Sequence, residues 1–536
     1  MADHETTASG PTPDWDASLR AFEAAMAPGL AAWNGWLEGF APGSADRRDR
    51  RFAAPEWSEH PLFDALRRTY LAFGEHVARG IEQAEVDEAT RARLRFWSGV
   101  MVDALSPSNF PLTNPEVLKR TAETGGENLR QGLEHLLTDL KRGQLTHTKA
   151  GAFEIGRDIA ATPGKVVKRT PLYELIQYSP TTETVLQTPL IIFPPWINRF
   201  YILDLGAEKS FVRWAVDQGL TVFMVSWKSA DESLRDVALD DYVLRGQVDA
   251  LDTVRELLGV PSAHLIGYCV AGTTLAATLA WLAAQGRAGE VASATFFTAQ
   301  VDFTEAGDLR HFLGEEFGGL LDAGSAGSGV VDGRVMAATF NMLRSRDLVW
   351  KAVVDHYLLG REHPGFDLLH WNGDVTNLPA GWHKDYLERL YKANRLVEAG
   401  GIEVGGVPID LTSVSTPTYV QAGREDHIAP ARSVWKITHH LRGPVRFVLA
   451  GSGHIAGVVN PPAARKYGYW TNENGPEDLD GFIAGATEHK GSWWPDWIRW
   501  IESHGAERVA ATGARVPGQG SLPAIEDAPG TYVRTR

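Results

Sequence analysis

Cysteine is almost missing from this 536-residue chain, which holds a single one, Cys269. No intramolecular disulfide can form and no thiolate cluster can hold a metal, so a reducing compartment, the cytoplasm, is the expected setting. Positive charge is also scarce. With 52 Lys and Arg against 67 Asp and Glu, the net charge of −15 argues against a nucleic-acid binder, which needs a basic footprint to replace phosphate counterions. Any anionic ligand must meet a local patch of Arg and Lys. Long apolar runs are lacking too: no window approaches the ~18 consecutive apolar residues of a membrane-spanning helix. The opening Met1-Ala2-Asp3-His4-Glu5 has neither the charged nor the apolar region of a secretory signal, so none is expected. What the chain does have is core: 44% of its residues are hydrophobic, enough for one large domain plus an appendage without covalent staples.

Residues 1–14, rich in Thr, Pro, Ser, Gly and Asp and without periodicity, are expected to be a disordered leader. From 15 to 156 the pattern is helical. Phe63, Leu66, Tyr70 and Phe73 fall on one helical face, and Asn114-Pro115-Glu116 reads as an N-cap followed by proline at the first helical position. From 157 to 536 short β-rich runs alternate with helices. Leu172–Tyr178, Leu190–Phe193, Thr221–Trp227, Ala263–Gly267, Thr418–Ala422 and Arg446–Ala450 predict a mainly parallel sheet with helices on both faces, an α/β domain. The alternation breaks between about 303 and 408, where helical segments such as 348–357 and 382–396 mix with the Gly- and Ser-rich run 324–329. This insertion is expected to be a mobile cap over the C-terminal edge of the sheet. Trp493, Trp494, Trp497 and Trp500 recur at helical spacing, which predicts core packing. No internal repeat is present.

A lone cysteine is most often an inert core filler. Three features set Cys269 apart. It lies in His264-Leu265-Ile266-Gly267-Tyr268-Cys269-Val270-Ala271-Gly272, which reads as strand, sharp turn and helix and matches the Gly-x-Ser-x-Gly nucleophile elbow of α/β-hydrolases with cysteine in place of serine. Small residues at 267 and 271 would let the backbone approach the nucleophile, and Ala271 departs from the usual glycine. The helix N-terminus favours thiolate. Acid and base candidates also follow in the order this fold requires: Asp426 after the run 417–423, and His454 after the run 447–450. His427 is the rival base and Glu425 the rival acid. An oxyanion hole needs two backbone N–H groups, one from the residue after the nucleophile, Val270, and one from the loop after the third strand. In Pro194-Pro195-Trp196 the prolines cannot donate, which leaves Trp196.

A thiol nucleophile suits thioesters, because attack on an acyl-CoA exchanges one thioester for another and keeps the acyl group activated for a second transfer. The Gly267–Gly272 elbow, Gly423-Arg424-Glu425-Asp426-His427-Ile428, Gly453 to Pro462, Gly491 to Trp497, Pro194 to Asn198 with Tyr201 to Leu205, and Asp367 to Asp374 with Asn377-Leu378-Pro379 together resemble class I poly(3-hydroxyalkanoate) synthases. The resemblance runs from about residue 60 to Val533, and Tyr-Cys-Val with Ile-Ala-Gly after His454 fits the short-chain class. It implies a helical N-terminal region, an α/β-hydrolase catalytic domain with a cap, a homodimer, and residence on cytoplasmic polymer granules. It further implies a 3-hydroxyacyl-CoA substrate, chiefly 3-hydroxybutyryl-CoA, with no cofactor or metal beyond the CoA the substrate brings. Cys269 would carry the growing acyl chain, His454 would deprotonate it, and Asp426 would activate the incoming 3-hydroxyl or orient His454. Trp196 stands where some relatives have cysteine. Two readings compete: a polyester or thioester hydrolase on the same triad, and a non-enzymatic granule-coat protein.

Overall fold

A computed structural model describes residues 49–313, 325 and 327–535. The expected leader, the start of the helical region, and Gly324 and Ala326 of the Gly/Ser run lie outside the described residues. The chain divides into two compact units.

The first unit comprises the chain up to Thr146 together with Arg344–His363. Its described regular elements are all helical, chiefly α1 (Pro61–Gln83), α2 (Glu88–Ala104), α3 (Pro115–Thr124) and α4 (Glu127–Arg142). Asn114 caps α3 as its sequence predicts, its side-chain oxygen accepting from Glu116 N at 3.0 Å and Val117 N at 3.3 Å, with Pro115 next in line. Phe52, Trp57, Phe63 and Tyr70 form the core; the expected apolar face stops there, and Phe73 is exposed. Residues 344–363, expected in the cap, pack in this unit for a physical reason. The Asn128 amide donates to Leu358 O at 2.8 Å, the Tyr357 hydroxyl donates to Asp139 at 2.6 Å, and Gly132 leaves no room for a Cβ against Tyr357 O.

The second unit, His147–Leu343 with Pro364–Arg536, is built on an eleven-stranded sheet. Its strands are β1 (Gly164–Arg169), β2 (Tyr173–Tyr178), β3 (Leu190–Phe193), β4 (Val222–Trp227), β5 (Ala263–Tyr268), β6 (Val291–Phe297), β7 (Thr418–Gly423), β8 (Val445–Ala450), β9 (Gly468–Thr471), β10 (Thr487–Lys490) and β11 (Glu526–Asp527). They lie in the order β10-β9-β8-β7-β6-β5-β3-β4-β2-β1-β11. The strands from β8 to β4 in that order are mutually parallel, and both flanks are antiparallel. The parallel strands are buried on both faces, hence their continuous apolar runs. This unit begins at His147, ahead of residue 157, and the segment before β1 is bonded into it: the Thr148 hydroxyl donates to Pro364 O at 3.2 Å and accepts from Phe366 N at 3.2 Å.

The junction between β5 and α5 (Val270–Ala284) is tightly packed. A Cβ on Gly267 would stand 2.6 Å from Gly272 Cα, and one on Gly272 would stand 2.4 Å from Ala299 Cβ. The glycine that faces Gly267 is therefore Gly272, not position 271, where the sequence pattern put it. Ala271 is buried in the core and its carbonyl accepts from Gln247 Nε2 at 2.9 Å. Overpacking of this kind costs about 1–3 kcal/mol, so Gly272→Ala should lower the urea-unfolding midpoint followed by circular dichroism. Gly99, exposed in α2 with nothing near its absent Cβ, provides the contrast: Gly99→Ala should raise stability by about 0.5–1 kcal/mol. A Gly272→Ala protein as stable as the parent would refute the contact argument.

Candidate active site

Cys269 occupies the corner between β5 and α5 with φ 54° and ψ −126°, a conformation side chains rarely adopt and one that lifts the sulfur out of the strand. Its N–H donates to Phe297 O at 2.9 Å and its carbonyl accepts from Gly272 N at 2.9 Å, so both flanking peptides are fixed. The side chain is half-buried at the N-terminus of α5, beside the positive end of the helix dipole.

The carboxylate and the imidazole arrive from the loops after β7 and β8. Arg424 N donates to Ala450 O at 2.8 Å and Glu425 N to Ser452 O at 3.1 Å, which zips the two loops together just before Asp426 and His454. Asp426 Oδ2 then lies 2.7 Å from His454 Nδ1. Its other oxygen, Oδ1, accepts from Ile428 N at 2.8 Å and Ala429 N at 2.9 Å. The carboxylate is buried, and three hydrogen bonds satisfy it. Because Nδ1 is taken, Nε2 is the nitrogen left for Cys269, whose side chain also interacts with the ring. Burial of His454 favours the neutral ring, but the negative charges of Asp426 and Cys269 and the hydrogen bonds to both outweigh it, and the pKa is pushed up to about 10. The structure thus brings Cys269, Asp426 and His454 together. Of the rivals, Glu425 is exposed, and the His427 backbone carbonyl accepts from Asp308 N at 3.1 Å.

Val270 opens α5, so its N–H has no acceptor within the helix. Trp196 lies in the loop leaving β3, whose Phe193 pairs with Gly267 of β5, so this loop emerges beside the Cys269 turn. The buried indole of Trp196 stacks on Tyr242 at 3.9 Å and meets the edges of Trp227 and Trp382, and its carbonyl accepts from the Thr376 hydroxyl. Next to this loop, the Tyr201 hydroxyl donates to Asp374 at 2.8 Å, and Trp371 Nε1 donates to Arg199 O at 2.7 Å.

Two groups of supporting residues escape sequence reasoning. The Tyr268 hydroxyl donates to His454 O at 3.0 Å, bonding the residue before Cys269 to His454 itself. Trp493 Nε1 donates to Gly457 O at 2.7 Å and Trp494 Nε1 to Val458 O at 2.9 Å, so these buried indoles fasten the turn that carries His454. Their helical spacing announces burial; nothing local announces the carbonyls they reach. Among the described residues no helix is long and apolar enough to cross a membrane, and no group of three or more His, Cys, Asp or Glu is arranged to hold a metal ion.

Residues 48–215 match the family model described as the poly-beta-hydroxybutyrate polymerase (PhaC) N-terminus, and residues 210–461 match that of the alpha/beta hydrolase fold. The chain is 47% identical over 494 residues to a poly(3-hydroxyalkanoate) polymerase of Methylorubrum extorquens, covering 91% of this chain and 81% of that protein. It is 44% identical over 500 residues to the poly(3-hydroxyalkanoate) polymerase subunit PhaC of Rhizobium meliloti, covering 92% and 81%. To the subunit of the same name from Cupriavidus necator it is 42% identical over 512 residues, covering 94% and 86%. With identity of this order along most of both chains, and an α/β-hydrolase sheet carrying the elbow, the protein is an acyltransferase and belongs to the poly(3-hydroxyalkanoate) polymerase family.

Proposed function

We propose that the protein polymerises short-chain (R)-3-hydroxyacyl-CoA, chiefly 3-hydroxybutyryl-CoA, through an acyl-cysteine at Cys269. The observation that carries this reading is the 2.7 Å bond between Asp426 and His454 beside a cysteine at a strained strand-to-helix corner. The Cys269 thiolate attacks the thioester carbonyl while the backbone N–H groups of Val270 and Trp196 receive the developing oxyanion. The C–S bond to CoA breaks, and the leaving thiolate takes the proton held on His454. The 3-hydroxyl of a second monomer then gives its proton to His454 and attacks the acyl-cysteine, forming an ester and freeing the sulfur. The lengthened thioester returns to Cys269 with loss of one CoA per cycle, so no cofactor is needed. Engagement of both Asp426 oxygens supports a role in orienting and charging His454 over direct contact with the 3-hydroxyl.

The same reading places the enzyme as a homodimer in the cytoplasm, on the surface of the polyester it makes. Exposed apolar side chains support an apolar surface partner. Leu94, Trp97 and Met101 share a face of α2, with Leu105 just beyond its end, and Leu133, Leu137 and Leu140 share a face of α4.

Cys269→Ala should abolish CoA release from 3-hydroxybutyryl-CoA, by on the order of 10⁴-fold or more, with an unchanged circular dichroism spectrum, and His454→Gln should cost nearly as much. Free CoA and turbidity are followed together; CoA release with free acid accumulating instead of turbid polymer would identify a hydrolase. Activity that survives Cys269→Ala would sink the acyl-cysteine.

A second prediction concerns protonation. The folded His454 ring holds its proton up to about 10 against an ordinary value of 6.5. Between these values the native state binds a proton that the unfolded chain lacks, so the stability this group contributes is complete below 6.5 and lost as pH rises through about 10. Asp426→Asn removes the larger of the two charges holding that proton. By histidine-ring NMR, the His454 titration of the variant should move down in pH from the parent; coincident titrations would contradict the assignment.

A further inference from the structure

Residues Tyr386–Lys392 form a π-helix. In an α-helix, residues five apart point in widely different directions; the wider π turn returns the fifth residue to the same face, so Tyr386 and Tyr391 lie side by side. Their rings are 5.2 Å apart and nearly perpendicular, and both side chains are buried. Trp382 stacks on Tyr386 at 5.1 Å, and Phe303 packs against Tyr391 at 4.8 Å and Tyr386 at 6.2 Å. This is an aromatic wall with two hydroxyls set into it.

Gln300 holds the wall to the nucleophile turn. Its carbonyl accepts from the Thr273 hydroxyl at 2.8 Å, and Thr273 N donates to Cys269 O at 3.2 Å. Its side-chain oxygen lies 2.8 Å from the Ser433 hydroxyl, which also reaches Asp302 O at 2.6 Å, and its Nε2 donates to the Tyr391 hydroxyl at 3.2 Å. Tyr386 interacts with that same hydroxyl, and burial above all keeps both phenols protonated, with the Tyr391 charge and then the field of Cys269 adding to it at Tyr386, and Cys269 and Asp426 at Tyr391. The Tyr391 oxygen thus accepts from Gln300, and beyond the neighbouring Tyr386 hydroxyl its own proton has no acceptor among the hydrogen bonds of the described residues. A buried phenol that Gln300 and Thr273 tie to the Cys269 turn suits a substrate oxygen.

Given the acyl-cysteine reading, on which this step rests, we infer that Tyr391 reads the oxygen on C3 of the acyl group carried by Cys269. It donates its phenolic proton to that oxygen, a hydroxyl in a newly loaded monomer and an ester oxygen once the chain is extended. The thioester carbonyl faces backbone N–H groups at the start of α5, and the rest of the acyl chain leads away from them along the aromatic wall, where Tyr391 supplies the donor. Gln300 is a positioning residue in this scheme: it aims the phenol without touching substrate. The class of ligand selected is an acyl thioester oxygenated at C3, in preference to a plain fatty acyl thioester of the same length.

The test compares the first turnover of the full-length enzyme with 3-hydroxybutyryl-CoA and with butyryl-CoA, following CoA release by rapid quench and the Cys269 adduct by mass spectrometry. A site built to hydrogen-bond a substrate hydroxyl rejects an analogue lacking it, here by on the order of 10²-fold for one donor. Tyr391→Phe should bring that ratio close to one, and Gln300→Leu should lower it in the same direction. A ratio unchanged in Tyr391→Phe, with both rates falling together, would reduce Tyr391 to a packing residue and overturn the inference. Failure of the parent enzyme to form any Cys269 adduct with either thioester would instead overturn the acyl-cysteine reading beneath it.

Discussion

The backbone of Cys269 is the constraint from which the site follows. A cysteine at φ 54° and ψ −126° costs about 1–3 kcal/mol relative to relaxed strand or helix geometry, and the surrounding structure must over-determine it to keep it. It does so on every side. The N–H is tied to the end of β6, the carbonyl to the first turn of α5, and contact between Gly267 and Gly272 closes the angle between strand and helix. Thr298, which follows the Phe297 that pairs with Tyr268, is also held at positive φ, so β5 and β6 both end in strained residues side by side. That paired break lets Gln300 swing back to the Thr273 hydroxyl, so one geometric demand fixes both the sulfur and the amide that aims Tyr391.

The Asp426–His454 pair obeys a different economy. A buried carboxylate is tolerated only when its lone pairs are filled and an opposite charge is near, and here two backbone amides and an imidazole meet that need. The pair is assembled by main-chain bonds between the two loops and by indoles clamping the turn beyond His454, so its alignment does not depend on flexible side chains. Such support from a surrounding shell holds catalytic groups to the tolerance that proton transfer requires. Tyr268 joins this apparatus to the elbow by bonding His454 O.

What the sequence discloses is what is encoded locally. Leu190–Phe193 is legible because a fully buried strand must be a short apolar run, and Cys269, Asp426 and His454 are legible because each follows such a run at a turn. Val291–Phe297 is harder to see, its Ala, Ser and Thr diluting the apolar signal although it lies at the centre of the sheet, and Gly164–Arg169 is masked by the charges of a strand near the sheet edge. Position 271 misleads because the motif is written for five residues, whereas close approach is set in space and falls on Gly272. Residues 344–363 read as cap because only the partners of Asn128, Gly132 and Asp139 reveal where they pack. The Tyr386–Tyr391 face is invisible to an α-helical period, since only a π turn brings the two together.

A triad of this kind is chemically indifferent between water and an alcohol as the second acceptor, so the outcome must be decided by what the surroundings admit. The groups here are enclosed: His454 is 9% exposed, Asp426 7%, and the wall beside them is Phe303, Tyr386 and Tyr391, all buried. Apart from the Tyr386 and Tyr391 hydroxyls this wall is apolar, so water entering it gains little, whereas a 3-hydroxyacyl group carries its own apolar carbons and can replace solvent along it. A thiol nucleophile adds to this bias, because an acyl group leaving CoA for sulfur stays at nearly the same level and remains ready for the next hydroxyl. On the proposed chemistry, polymerisation over hydrolysis is thus a property of the enclosure as much as of the three catalytic residues.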